Sequence, residues 1–192
     1  MADPLQIPAA PDSLLLPIER FWDGGHCRER RLHGSVRLET RGKGLVVEAS
    51  LPHQRVPRVP DAPRGARVAD LWEYDVVECF LVGARGRYLE VELGAGGHFL
   101  VLAFEAPRRL ADAHVGLSPE RSFQRNATGW RSRVGIPWSV LPPDLRALNA
   151  FVIAGGAHLA YHALPGARPD FHQPQRFPAA RLDPPSRHDA GP

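Results

Sequence analysis

The sequence predicts an all-β protein, a single antiparallel β-sandwich of the jelly-roll or immunoglobulin-like kind. Three observations predict it. Stretches of alternating apolar and polar residues recur along the chain, and the 3.6-residue periodicity of long helices is nearly absent. Short Gly-containing links join consecutive alternating stretches. The 192 residues also hold 18 glycines and 20 prolines without a repeat, a share that calls for many turns and many short strands.

Residues 44–51 (GLVVEASL) set Leu45, Val47, Ala49 and Leu51 against Val46, Glu48 and Ser50. The segment 56–67 (VPRVPDAPRGAR) is a long Pro-rich loop. Residues 74–82 (YDVVECFLV) set Val77, Cys79 and Leu81 against Val76, Glu78 and Phe80, and 87–93 (RYLEVEL) set Leu89, Val91 and Leu93 against Tyr88, Glu90 and Glu92. Residues 98–104 (HFLVLAF) are apolar on both sides, as in a central strand. The links GARG (83–86) and GAGG (94–97) join these three strands into a meander. GAGG leads into a strand and not a helix, so it is no phosphate cradle. Residues 130–136 (WRSRVGI) set Trp130, Ser132, Val134 and Ile136 against Arg131, Arg133 and Gly135. The segment 137–148 is expected to hold one helical turn with proline at its first position, and 149–164 one or two further strands. A second long loop, 165–178 (PGARPDFHQPQRFP), follows; loops of this length in a compact domain are commonly functional or disordered. One domain over 13–182 is expected, between a flexible N-terminus, 1–12, and a flexible polar tail, 183–192.

Composition narrows the function classes. A chain of this length forms one domain and removes roughly 70% of its unfolded surface from water. The net charge is +3, almost all of it arginine, with Lys43 the one lysine. The tightest basic run, 27–31 (CRERR), is broken by Glu29, so the clustered basic face of a nucleic-acid binder is not expected. Cys27 and Cys79 form neither a disulfide framework nor a metal motif; Cys79, within an apolar strand, reads as a small core residue. The opening residues carry no basic and apolar leader, and no run approaches the ~18 apolar residues of a membrane helix. A cytoplasmic protein with no membrane partner is expected.

The acids then need an explanation. Glu78, Glu90 and Glu92 share the face opposite the core with Tyr88, and His98 joins them. An unpaired buried carboxylate is costly, so that face is expected to be open to water or lined by partners such as Arg131 or Arg133, with Trp72 at its rim. A solvated sheet face carries glutamates in any case. As a binding face it suits a sugar: carboxylates accept paired hydrogen bonds from adjacent hydroxyls, and an indole covers the apolar side of a pyranose ring. Two alternatives stand beside non-catalytic binding. Glu78 and Glu90 on neighbouring strands suit a carboxylate-pair hydrolase, with His172 closing the cleft, and a sheet face or edge suits a protein partner.

Other residues read more plainly. HLAYH (158–162) spaces two histidines four apart but lacks the Glu of a zinc HExxH motif and a third ligand. His172 hydrogen-bonds within its loop or transfers protons near neutral pH. Asp170 caps a turn after Pro169 or serves as a ligand. Trp138 plugs the core or rim, and Trp22 packs on the sandwich edge. Asp75 and Glu73 are expected to pair with loop arginines.

LWEYDVVECFL, YLEVEL, HFLVL after a glycine turn, the W-x-x-x-V-x-IPW segment (130–138), NAFVIAG and PDFHQPQRF, in that order, resemble the family-9-like carbohydrate-binding domains of the wider DOMON-like group. They look most like a branch of small stand-alone proteins found in bacteria and animals. The resemblance covers about residues 15–182. It implies an antiparallel β-sandwich, a sugar clamped between two tryptophans with charged and amide side chains on its hydroxyls, and structural calcium. By motif, Trp72 and Glu78 carry over. The second tryptophan has no counterpart, and Phe171 or His172 stands in its loop. The calcium ligands are not recognisable by motif. The haem of other DOMON-like domains is not expected, because Met1 is the sole methionine and no Met/His axial pair can form. The expected ligand set is Trp72, Glu78, Tyr88, Glu90, Arg131, Asp170, Phe171 and His172, the expected partner a small carbohydrate or sugar-like metabolite. No catalytic residue is assigned.

Overall fold

A computed structural model describes residues 3–52 and 56–183. Among them the strands are β1 (Leu5–Ile7), β2 (Leu14–Ile18), β3 (Arg20–Phe21), β4 (Gly34–Arg41), β5 (Gly44–Pro52), β6 (Val76–Val82), β7 (Tyr88–Gly94), β8 (Phe99–Ala106), β9 (Arg109–Asp112), β10 (Arg121–Arg125), β11 (Gly129–Pro137), β12 (Ala147–Ala154), β13 (Ala157–Ala160) and β14 (Ala180–Leu182). They form a five-stranded sheet in the order β10-β11-β5-β4-β2, a seven-stranded sheet in the order β3-β13-β12-β6-β7-β8-β9, and the pair β1-β14. The pairings within both large sheets are antiparallel. No helix among the described residues is long and apolar enough to cross a membrane.

One buried cluster joins the two large sheets. Leu16, Leu38, Val47 and Ile136 from one meet Val77, Cys79, Val91 and Val152 from the other. This is the expected sandwich core, and the strands supply it by the period-two alternation of their sequences. β6, β7 and β8 form the expected meander. The Cys79 thiol is sealed in this core, and burial pushes it up to about 12, so it is an inert packing residue.

The other face of the seven-stranded sheet differs from expectation. It is not open to water. A second apolar cluster covers it, in which Phe80, Leu102, Phe104 and Phe151 pack against Leu71, Leu164, Phe171 and Phe177. Every residue of β6 and β7 is therefore buried. The long loop after β13 supplies most of the lid, because Leu164, Phe171 and Phe177 are apolar enough to repay burial at ~1.5–3 kcal/mol for a full-sized side chain. The wetted polar face belongs to the five-stranded sheet. There Glu39 pairs with Arg41 at 2.7 Å and Arg133 at 3.0 Å, and Glu48 with Arg131 at 3.5 Å.

Several local expectations change. The segment 137–148 forms no helical turn; it turns through a bond from the Val140 N–H to the Pro137 carbonyl. Within 1–12, Leu5–Ile7 is a strand with Ile7 fully buried. Residue 183 still bonds to Ile7 through its backbone, and the rest of the expected tail lies outside the described residues. Among the described residues Asp75 pairs with no arginine side chain; it is buried and accepts the backbone N–H groups of Arg58 at 3.2 Å and Gly155 at 3.3 Å. It thereby pins the Pro-rich loop to the start of β6. Trp138 sits at the rim, 38% exposed, with its indole N–H on the Gly42 carbonyl.

Candidate functional site

The lid does not close completely. It leaves a cavity of about 370 Å³ over the middle of the seven-stranded sheet. Its floor is Glu78 and Phe80 of β6, Glu90 of β7, and Leu102 and Phe104 of β8. Ile153 of β12 and His158 of β13 form one wall, and Arg108 with Pro169 to His172 forms the other. Trp72, in the turn before β6, stands at the mouth and is 40% exposed.

The wall is held by a chain of polar contacts. The Arg108 backbone N–H donates to the Tyr88 hydroxyl at 3.0 Å, and that hydroxyl lies 2.7 Å from His172 Nδ1. A neutral His172 with its proton on Nε2 would accept that hydroxyl's proton at Nδ1. The ring's surroundings agree. Burial, and then the Arg108 charge, push the imidazole down to about 4. Burial also pushes the Tyr88 phenol up to about 12. Asp170 accepts the His172 backbone N–H at 3.1 Å and the Arg108 guanidinium at 2.8 Å. The ring of His172 stands edge-on to Phe80 and Phe104, at 5.6 and 5.1 Å. Phe171 lies flat on Phe151, 4.0 Å between centroids and 8° between planes. It is an anchor for the lid as much as a wall.

The floor is acidic. Glu78, Glu90 and Glu92 are 2%, 3% and 0% exposed. Register explains their meeting: Glu78 lies opposite Glu92, and Glu90 opposite Phe80, on one sheet face. One carboxylate oxygen from each lies within 4.8 Å of the others. Burial raises all three above the usual carboxylate range. Glu78 goes well above it through desolvation and then the Glu90 charge, and Glu92 through desolvation and then Glu78 and Glu90. Glu90 is pushed up to about 8, against the pull of Arg108.

Trp72, Glu78, Glu90, Asp170, Phe171 and His172 thus line one cavity, with Tyr88 holding its wall from below. Arg131 does not join them. Strand alternation gives the side of a residue but not its sheet, and Arg131 faces water on the five-stranded one. His98, expected on the acid face, is held instead on the Ala62 carbonyl at 3.0 Å. The His172 ring bonds to a strand tyrosine, while its backbone N–H bonds within the loop, to Asp170. Sequence reasoning missed Arg108, which projects from the β8–β9 turn with φ +60°. It also set aside His158, although Ile153 on the cavity wall is its register partner.

No family model matches the sequence. The chain is 32% identical over 166 residues to the UPF0462 protein C4orf33 of Homo sapiens, covering 81% of each chain. It is 34% identical over 171 residues to the homolog of that protein in Mus musculus, covering 83% of this chain and 87% of the relative. Two solved structures share its architecture. One, a protein of Bacteroides uniformis proposed to bind carbohydrate, superposes with a TM-score of 0.69 at 15% identity, over 94% of this chain and 97% of that one. The other is a family 9 carbohydrate-binding module of Caldicellulosiruptor kristjanssonii in complex with cellotriose, with a TM-score of 0.64 at 14% identity, over 99% and 98%. At such identities the likeness is one of fold, and the fold is the β-sandwich of family 9 modules.

Proposed function

The chain belongs to the UPF0462 family, and from that premise we propose that it is a non-catalytic binding protein for a small sugar or sugar-like metabolite. The ligand lies in the cavity over the seven-stranded sheet. One observation carries this reading: a half-exposed tryptophan, Trp72, opens onto a small cavity floored by the carboxyls of Glu78 and Glu90. An indole face suits the C–H side of a pyranose, and the carboxyls, Arg108, Asp170 and His158 offer both donors and acceptors to hydroxyls. The volume falls in the range of small-molecule sites. The likeness in fold to a module holding cellotriose supports the same class of ligand.

Tryptophan emission titrated with a panel of mono- and disaccharides tests the proposal. A saturable shift is expected, lost in Trp72→Ala while the other three tryptophans remain. A flat response across the panel would overturn the sugar reading. Sugar cleaved during the titration would overturn the non-catalytic one.

A further inference from the structure

We propose that Glu78, Glu90 and Glu92 bind one hard, oxygen-seeking divalent cation at the floor of the cavity. Proximity of the acids alone would not carry this. The second observation is Glu92, fully buried, whose two carboxylate oxygens both lack a hydrogen-bond partner among the described residues, as does Oε2 of Glu90. An orphaned buried oxygen is costly, and more so when charged.

Nearby cations do not relieve them. Arg67 spends its Nη2 on the Ala113 carbonyl at 2.7 Å, and its buried Nε reaches none of the carboxylates; Arg108 is paired with Asp170 at 2.8 Å. A proton shared between neighbouring carboxyls is the competing way to neutralise the cluster, and it predicts no saturable ion. A cation satisfies all three carboxylates together. Oxygens that share a calcium-sized ion at about 2.3–2.6 Å lie up to roughly twice that distance apart, and one oxygen from each glutamate falls within 4.8 Å of the others. Glu78 and Glu90 line the cavity, which would supply the ion's remaining ligands. The charge of Arg67, felt at Glu92, opposes the ion and weakens its affinity.

This inference does not rest on the sugar reading, and its test contains no sugar. The full chain, stripped with a chelator, is titrated with Tb³⁺, whose emission is sensitised by tryptophan; Trp72 lines the same cavity. Ca²⁺, Mg²⁺ and Mn²⁺ then compete. One saturable ion per chain is expected, displaced by Ca²⁺. Glu92→Gln and Glu78→Gln should each weaken binding at least about tenfold, while Glu48→Gln on the other sheet leaves it unchanged. Absence of saturable binding to the wild-type chain overturns the site, and that readout needs no variant to fold. Equal affinity in Glu92→Gln or Glu78→Gln overturns it too. So does a melting temperature that Ca²⁺ leaves untouched but that rises as pH falls, since protons would then neutralise the cluster.

Discussion

The Tyr88 hydroxyl serves two partners at once, the Arg108 backbone N–H and His172 Nδ1. Both lose that partner in Tyr88→Phe, which keeps the ring stacked on Phe104 at 4.7 Å. The expected loss is about 1–3 kcal/mol in urea unfolding; an unchanged midpoint would mean that the chain of contacts contributes nothing net. Arg108 acts on the same ring through charge. Its guanidinium is one of two causes that hold His172 down, so Arg108→Gln is expected to raise the imidazole pKa, followed by the ring-proton shifts in NMR. A fall would contradict the assignment. At this scale the sequence was informative where a motif marked the position, as with Trp72, Glu78 and His172. It was silent on Arg108, one arginine among many, which only the β8–β9 turn brings over the sheet.

Gly44 shows how tightly the strands of the five-stranded sheet approach. A Cβ there would stand 2.0 Å from the Ile136 carbonyl oxygen of β11. Gly44→Ala must push β5 from β11 and is expected to cost about 3 kcal/mol, at the top of the range for overpacking. Gly116→Ala, where nothing lies within 4 Å, should leave the thermal midpoint nearly unchanged; equal effects at the two sites would refute the contact. β5, β6, β7 and β11 are legible from alternation that runs for seven to nine residues, and β8 and β12 from apolar runs between turn signals. β1, β3 and β14, of two or three residues, are too short to show a period. The covering of the acid face was hidden for a different reason. Alternation assigns residues to a face, but whether that face is wet depends on what else folds over it. Here the cover is a proline-rich loop whose Phe171 and Phe177 are apolar without any period.

Burying three carboxyls between two apolar layers gives the whole molecule a pH signature. Glu90, with an ordinary value of 4.5, is pushed up to about 8 in the folded chain. Between these values the folded chain keeps a proton that the unfolded chain releases, so stability falls as pH rises through that window. Glu78 and Glu92 act in the same direction. His172 acts in the opposite one. Its ordinary value of 6.5 drops to about 4, so its contribution is lost as pH falls below 6.5. The two effects oppose each other in mildly acidic solution, and toward pH 8, where the unfolded imidazole is neutral too, the carboxyls dominate. In chelator, unfolding free energy is therefore expected to drop between pH 6.5 and 8, by about 2 kcal/mol from Glu90 alone. Glu90→Gln should flatten that slope. Saturating Ca²⁺ should flatten it too, because an ion held by the carboxylates removes the folded chain's extra protons. A profile that stays level from pH 6.5 to 8 in chelator would mean that the carboxyls are ionised inside the fold, and that some group other than a proton already compensates them.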